Sequence, residues 1–436
     1  MKLQIFQSAN GDCLLLESND GKRILCDGGM ARSMRDRVRQ HLAKLRTQNK
    51  RLDVVYVSHI DQDHISGVLQ LLQDELAWRV FDHHTNAGDT GVKKPKVPRP
   101  PEIGCIWHNA FRDMVSKNKG DIEKLLAAAA PVLLGAGIRE LVDSGQTMHD
   151  IGLSVPEALK VSRLASKDLL GIPVNKVPHG NDAPLLLFLR DELTSFGIGS
   201  MTLTTIGPTE HGLRQLRKGW DEWLRNNKDK VQAIRAEMRR RIEEFSSGAL
   251  AGTPFDLRDW NGVPEFKGVS APNIASLMFM VEEGNKRLLL TGDSQQDVIL
   301  ECLKGAGFLD SGFLYLDVLK VQHHGSENNV DANFCKQVSA RNYVFCGNGA
   351  HGNPEQKVIK TIFESRLGSP QKRTLAPEAA NENFTFWFST KSTQEPGGEA
   401  RDNFEGVEDL VDDLVAQSNG RLSAKYNDGD FITLNI

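Results

Sequence analysis

Short apolar runs punctuated by turn residues organise both ends of this chain. Leu3–Phe6, Cys13–Ser18 and Arg23–Cys26 each read as a strand, with Asn19-Asp20-Gly21 as a hairpin turn between the last two. Arg32 to about Gln48 has the pattern of a charged amphipathic helix. Asp53–Val57 reads as a buried strand, short, β-branched and aromatic, and Ile65 to about Leu76 as another helix. Thr85–Glu102, rich in Gly, Pro and Lys, predicts an exposed loop, and Ile103–Trp107 a strand ending at His108. Leu185–Leu189 and Met201–Ile206 add two strands. Leu213–Phe245 is the clearest helix, with Leu213, Leu216, Trp220, Trp223, Leu224 and Val231 in a three-and-four rhythm and a basic opposite face. Beyond it, Ser276–Glu282 and Arg287–Leu290 predict a hairpin. Leu319–Gln322, Tyr343–Cys346 and Phe431–Ile436 predict three further strands, with Ser389–Ala400 a polar loop.

Strands alternating with helices place the chain in the α/β class. A hydrophobic fraction of 39% with 25% charged residues is ordinary for a globular protein, and a net charge of -4 excludes a generally basic nucleic-acid coat. Six scattered cysteines without a CxxC pair read as reduced, buried thiols. The N-terminus lacks a signal peptide's apolar core and no window reaches transmembrane length, so the expectation is a cytoplasmic protein without a membrane span.

The chemistry concentrates after the Asp53–Val57 strand. His59, Asp61, Asp63 and His64 place four ligating side chains within six residues on one tight loop, and imidazole with carboxylate suits Zn, Fe or Mn. Other candidates sit at strand ends: Asp27, His108, Asp293, the adjacent His323 and His324, and His351 shortly after Tyr343–Cys346. Ligands held at the ends of several strands are what a rigid metal site requires. His83 and His84 compete with His108, which is preferred because it closes a buried strand. His41, His149, His179 and His211 read as structural or surface residues. Lys320, inside a strand, reads as snorkelling to the surface, with a phosphate contact as its alternative.

These stretches resemble the metallo-β-lactamase superfamily, and within it the hydrolase domain of ComEC-type competence proteins. The resemblance is carried by Gly11-Asp12-Cys13, Cys26-Asp27-Gly28-Gly29, Ser58-His59-Ile60-Asp61-Gln62-Asp63-His64-Ile65-Ser66-Gly67, Leu290-Thr291-Gly292-Asp293 and Leu319-Lys320-Val321-Gln322-His323-His324-Gly325-Ser326. It covers residues 1–80 and about 270–360 well, and the stretch between only loosely. It implies an αββα four-layer sandwich with a helical insertion at about 110–265. We expect one domain over residues 1–436, because the ligand set lies on both sides of that insertion and must meet. The resemblance further implies two divalent ions (Zn or Mn, with Fe as an alternative). The first would take His59, Asp61 and His108, the second Asp63, His64 and His324, with Asp293 bridging and Asp27 behind the loop. His323 would point toward substrate, and His351 would meet developing negative charge.

The activity implied is metal-dependent hydrolysis through a hydroxide bridging two metals, with a phosphodiester of DNA, RNA or a nucleotide as substrate. Asp63, His323 and His351 would contribute at the reacting end. The 85–102 loop, expected to be mobile, and the basic face of the 213–245 helix would shape access. Two alternatives remain at this stage. One is a small-ester, lactone or lactam hydrolase of the same fold; the other is a catalytically minor component of a multi-protein system that docks on a second copy or a partner protein through helix 213–245.

Overall fold

The fold was obtained as a computed structural model. It describes residues 1–59, 61–89, 91–109, 160–161, 164–167, 169–177, 186–190, 194–210 and 276–436. The 213–245 helix, and most of the proposed insertion, lie outside these residues.

Two sheets form the centre. The first carries β1 (Lys2–Phe6), β2 (Leu14–Glu17), β3 (Arg23–Cys26), β4 (Val54–Val57), β5 (Ile106–His108) and, from the far end of the chain, β14 (Phe431–Asn435). Its order is β14-β1-β2-β3-β4-β5. The second carries β6 (Ser195–Ile198), β7 (Met201–Gly207), β8 (Met278–Glu283), β9 (Lys286–Leu290), β10 (Leu314–Lys320), β11 (Val338–Phe345), β12 (Phe384–Phe388) and β13 (Leu422–Tyr426). Its strands run from β13 down to β6 in sequence order.

The period-2 alternation of the strands decides the layers. In β1, Leu3 and Ile5 face inward with Leu14, Leu16, Ile24 and Tyr56 to meet Phe279, Val281, Leu288, Leu290 and Val318 of the other sheet in one apolar core. Phe6, Leu15, Leu25 and Val55 face outward onto helices. The outer face of the second sheet, with Leu289, Leu316, Leu319 and Phe345, is covered in the same way. The result is helix, sheet, sheet, helix, which is the expected four-layer sandwich.

On the first sheet the covering helices are α1 (Ala31–Ser33), which passes through one π turn at Met34–Val38 into α2 (Arg39–Thr47), and α3 (Gln62–Asn86). On the second they include α4 (Gln296–Gly305), α5 (Ala332–Gln337), α6 (Gln356–Leu367) and α7 (Glu399–Gln417). Helix α3 runs well past the expected end near Leu76, because Trp78 and the residues after it continue to find partners. Trp78 donates to the Val97 carbonyl, and Lys94 and Arg99 lie over its ring. The described residues of the 87–101 loop are thereby tied to the second half of α3, and none of them lines the cleft described below. Leu185–Leu189 is not a strand over the residues described there; Leu189 makes one bridge to Thr209. All six cysteines are buried and unpaired. Among the described residues, no helix is long and apolar enough to cross a membrane.

Three glycines bring the backbone of separate segments to the start of α3. A Cβ on Gly67 would overlap the Gly28 carbonyl, one on Gly28 the Val68 amide, and one on Gly11 the Asp63 carbonyl. The β3–α1 loop can therefore lie directly on the first turn of α3, with the Gly28 amide donating to the His64 carbonyl at 2.8 Å and the Gly67 amide to the Gly29 carbonyl at 2.9 Å.

Candidate metal centre

Three of the strands that reach the site are followed by left-handed backbone. Asp27, one residue past β3, has φ 57°; His323 and His324 after β10 have φ 46° and 55°; His351 after β11 has φ 55°. Left-handed backbone at a non-glycine residue costs on the order of 1–3 kcal/mol and persists only where the surroundings fix it. Here it aims four polar side chains at one end of the sandwich.

The Asp27 carboxylate reaches across to β4, accepting from the Ser58 amide and from Ser58 Oγ, each at 2.7 Å. It also lies 3.0 Å from His64 Nδ1. Ser58 Oγ donates its one hydrogen bond to Asp27, so it accepts from His59 Nδ1 at 3.0 Å. His324 Nδ1 faces the Cys346 carbonyl at 2.6 Å, and a carbonyl can only accept. Each of the three imidazoles therefore keeps its proton on Nδ1 and turns Nε2 toward the cleft. All three Nε2 atoms are buried without a hydrogen-bond partner. They converge on carboxylates: Asp293 Oδ2 is 3.2 Å from His64 Nε2, 3.2 Å from His324 Nε2 and 3.7 Å from His59 Nε2. Asp63 Oδ2 is 3.2 Å from His324 Nε2, and Asp61 Oδ2 is 3.4 Å from His59 Nε2. Buried Nε2 lone pairs interleaved with carboxylates fit divalent cations, because each group is a ligand and none of the three Nε2 atoms has a hydrogen-bond partner in the protein.

The electrostatics agree. Burial alone would lower the His64 pKa, yet Asp293, Asp63, Asp27 and Asp12 raise it well above the usual imidazole value. His324 behaves likewise, against burial, through Asp293, Asp12 and Asp63. Asp293 is buried, which opposes ionisation, but His324, His64, Lys320 and His323 hold its pKa well below the ordinary carboxylate range. The cluster favours positive charge at its centre, whether proton or metal.

His108 closes β5, in register with Val57, and is buried with neither ring nitrogen bonded. Burial pushes it down to about 4, so it is a neutral imidazole, the form that ligates. Among the described residues, it makes no contact with the carboxylate cluster at hydrogen-bond or ion-pair distance. His83 and His84 stand at the C-terminal end of α3, His84 paired with Asp89 at 3.0 Å. Twenty residues along a helix from Asp63 is about 30 Å, which removes this pair from competition. His323 is one-third exposed, with Nε2 3.9 Å from Asp293 Oδ2. Its Nδ1 bonds Asn329 Oδ1 at 2.7 Å, and Asn329 Nδ2 donates to the Asp293 and Ser294 carbonyls, so Asn329 must accept and His323 must donate. A cleft of about 390 Å³ is lined by Asn10, Met30, Asp61, Gln62, Asp63, Asp293, His323, His324, Ala350, His351 and Asn353. His351 is on its exposed rim. His41 is structural, edge-on to Phe6 and Phe431 and bonded to Gln4; His149, His179 and His211 lie outside the described residues.

Two residues at the site are not among the ligand candidates of the sequence. Asp12 is buried beside His324, with Oδ1 3.1 Å from Nδ1. Lys320 does not snorkel: it is 2% exposed and points into the centre, bonded to Asp12. Its place among strand residues hid this, although Gly11-Asp12-Cys13 is one of the stretches carrying the family resemblance.

Residues 9–75 match the family model described as the Metallo-beta-lactamase superfamily. The chain is 28% identical over 123 residues to ComE operon protein 3 of Bacillus subtilis (strain 168); the match spans 28% of this chain and 15% of that protein's length. A solved structure of a single-site mutant of the CmlA beta-hydroxylase aligns over 99% of this chain and 54% of its own at 10% identity, with a TM-score of 0.32 that is too low to carry an argument. The family match and the buried Asp/His group together support a metal-dependent hydrolase.

Proposed function

We propose that this protein, which has the metallo-β-lactamase fold, is a two-metal hydrolase that cleaves phosphodiester bonds. The observation that carries this reading is the set of three buried, unbonded Nε2 atoms facing Asp61, Asp63 and Asp293 at the floor of an open polar cleft. In this reading His59, Asp61 and His108 would hold one divalent ion, Zn or Mn, and Asp63, His64 and His324 would hold the second, with Asp293 contributing its carboxylate beside them, and the chain works as one domain. Bound there, the ions would acidify a water molecule and draw charge from a phosphoryl oxygen.

The chain's own groups support the rest of the chemistry. Asn329 fixes the His323 ring so that Nε2 stands at the cleft, placed to give or take a proton at the leaving oxygen. His351, exposed on the rim of the cleft, is placed to meet a negatively charged substrate. Apart from Met30 and Ala350 the cleft lining is polar, which favours a charged, hydrated substrate over the small apolar ester or lactone of the alternative reading. The resemblance of the His59–His64 and His323-His324-Gly325-Ser326 stretches to ComEC-type hydrolase domains inclines the choice toward a nucleic acid or nucleotide.

The test is hydrolysis of bis-p-nitrophenyl phosphate, DNA and RNA by metal-stripped protein reloaded with Zn or Mn. Cleavage restored by metal and lost in both Asp63→Ala and Asp293→Ala is the expected result. Two metals bound per chain with no phosphodiester cleaved would move the substrate to an ester or lactone.

A further inference from the structure

Lys320 and Asp12 are each 2% exposed, and an ammonium at that depth survives only if its neighbours compensate it. Lys320 Nζ bonds Asp12 Oδ2, donates to the Gly292 carbonyl at 3.0 Å and lies 3.4 Å from Asp293 Oδ1. Asp12 comes from the loop after β1 in the first sheet. Asp293 follows β9, and Lys320 ends β10 in the second, so a single cation joins the two sheets beneath the metal residues.

We propose that Lys320 is a positioning residue for the metal centre, a built-in cation that fills the inner end of the carboxylate cluster. Asp12, His64, Asp293 and His324 offer ligating atoms all within 4.8 Å of one another, a set able to take a cation by itself. The ammonium occupies its Asp12 side, where His64 and His324 present Nδ1, while their Nε2 atoms face Asp63 and Asp293 on the cleft side. With Oδ1 held by Lys320, Asp293 offers Oδ2 alone to the ions, and Asp12 serves His324 instead of a metal. This rests on the metal-centre reading above but not on the choice of phosphodiester substrate.

The experiment is reconstitution with Co(II), whose visible bands report coordination number and geometry. Lys320→Met, folded by circular dichroism, is expected to change the bands and lower kcat roughly 10–100-fold, with KM little altered. Asp12→Asn, which keeps the shape and removes only the charge partner, is expected to change them too. The double variant should be no worse than Lys320→Met, because the pair acts as a unit. If Lys320→Met does not fold, the Asp12→Asn spectrum decides. A wild-type spectrum in whichever of these variants folds would overturn the inference, even if the wild-type protein cleaves no phosphodiester. Wild-type protein that takes up no cobalt would overturn the metal reading and this inference together.

Discussion

Asp27→Asn is the sharpest test of how the centre is built, because it changes one charge and almost no volume. Asp27 accepts twice from Ser58 and stands 3.0 Å from His64 Nδ1, a contact that keeps the His64 proton on Nδ1. In the variant the amide oxygen can still accept from the Ser58 amide. The amide nitrogen cannot accept, so it donates to His64 Nδ1 and moves the imidazole proton to Nε2, the atom that faces Asp293 at 3.2 Å. Metal binding must then displace that proton and give up a charge-assisted hydrogen bond, together about 1.5–3 kcal/mol. At 1.4 kcal/mol per decade, the affinity for metal should fall roughly 10- to 150-fold. Asparagine tolerates the φ of 57° at this position, so the metal-stripped fold should change little. Asp27→Ala provides the contrast. It leaves the Ser58 amide buried without an acceptor and takes the carboxylate from Ser58 Oγ and His64 Nδ1, which are left with each other at 3.3 Å, so at about 1–3 kcal/mol for each unsatisfied group it should lower the urea midpoint even without metal. The assay is competition with a chromophoric chelator for Zn, alongside urea unfolding in EDTA. If Asp27→Asn binds Zn within twofold of wild type, the tautomer argument is wrong.

Two further outcomes follow from the geometry. His108 is held down to about 4 by burial, so between about pH 4 and 6.5 the unfolded chain binds more protons there than the folded one. Stability from this group is present above that window and lost as pH falls through it, about 3 kcal/mol in all. Melting in EDTA should therefore show a shallower acid-side loss for His108→Gln, and parallel pH profiles for the two proteins would refute it. Gly11→Ala would place its Cβ on the Asp63 carbonyl and push the metal loop outward. We expect metal affinity to drop at least tenfold, a loss on the order of 1.4 kcal/mol, and equilibrium dialysis showing wild-type affinity would count against that packing.

The contrast between β12 and Lys320 shows where sequence reading stops. Phe384-Thr385-Phe386-Trp387-Phe388 alternates buried and half-buried positions, so its strand is legible in principle, although neither it nor β13 is among the strands expected from the sequence. Lys320 is different. Nothing in its local pattern separates a lysine that snorkels from one that turns inward, because the deciding partner, Asp12, lies 308 residues away in the chain. The same holds for His83 and His84: as an adjacent pair they are attractive ligands, and only the extension of α3 to Asn86 carries them away.

By itself the sequence determined what depends on short-range spacing. The period-2 strands set which faces are apolar and hence the two-sheet core, and the His59–His64 loop after Val57 set where ligands gather. The tertiary structure decided what depends on approach between distant segments. It set the proton on each imidazole through Asp27, Ser58 and Cys346, the meeting of Asp293 and His324 with the β4 loop, and the buried ammonium between Asp12 and Asp293. Local propensity acts over a few residues, whereas a metal centre is defined by atoms about 3–4 Å apart whose residues need not be near in the chain, so only the packed sheets could bring them together.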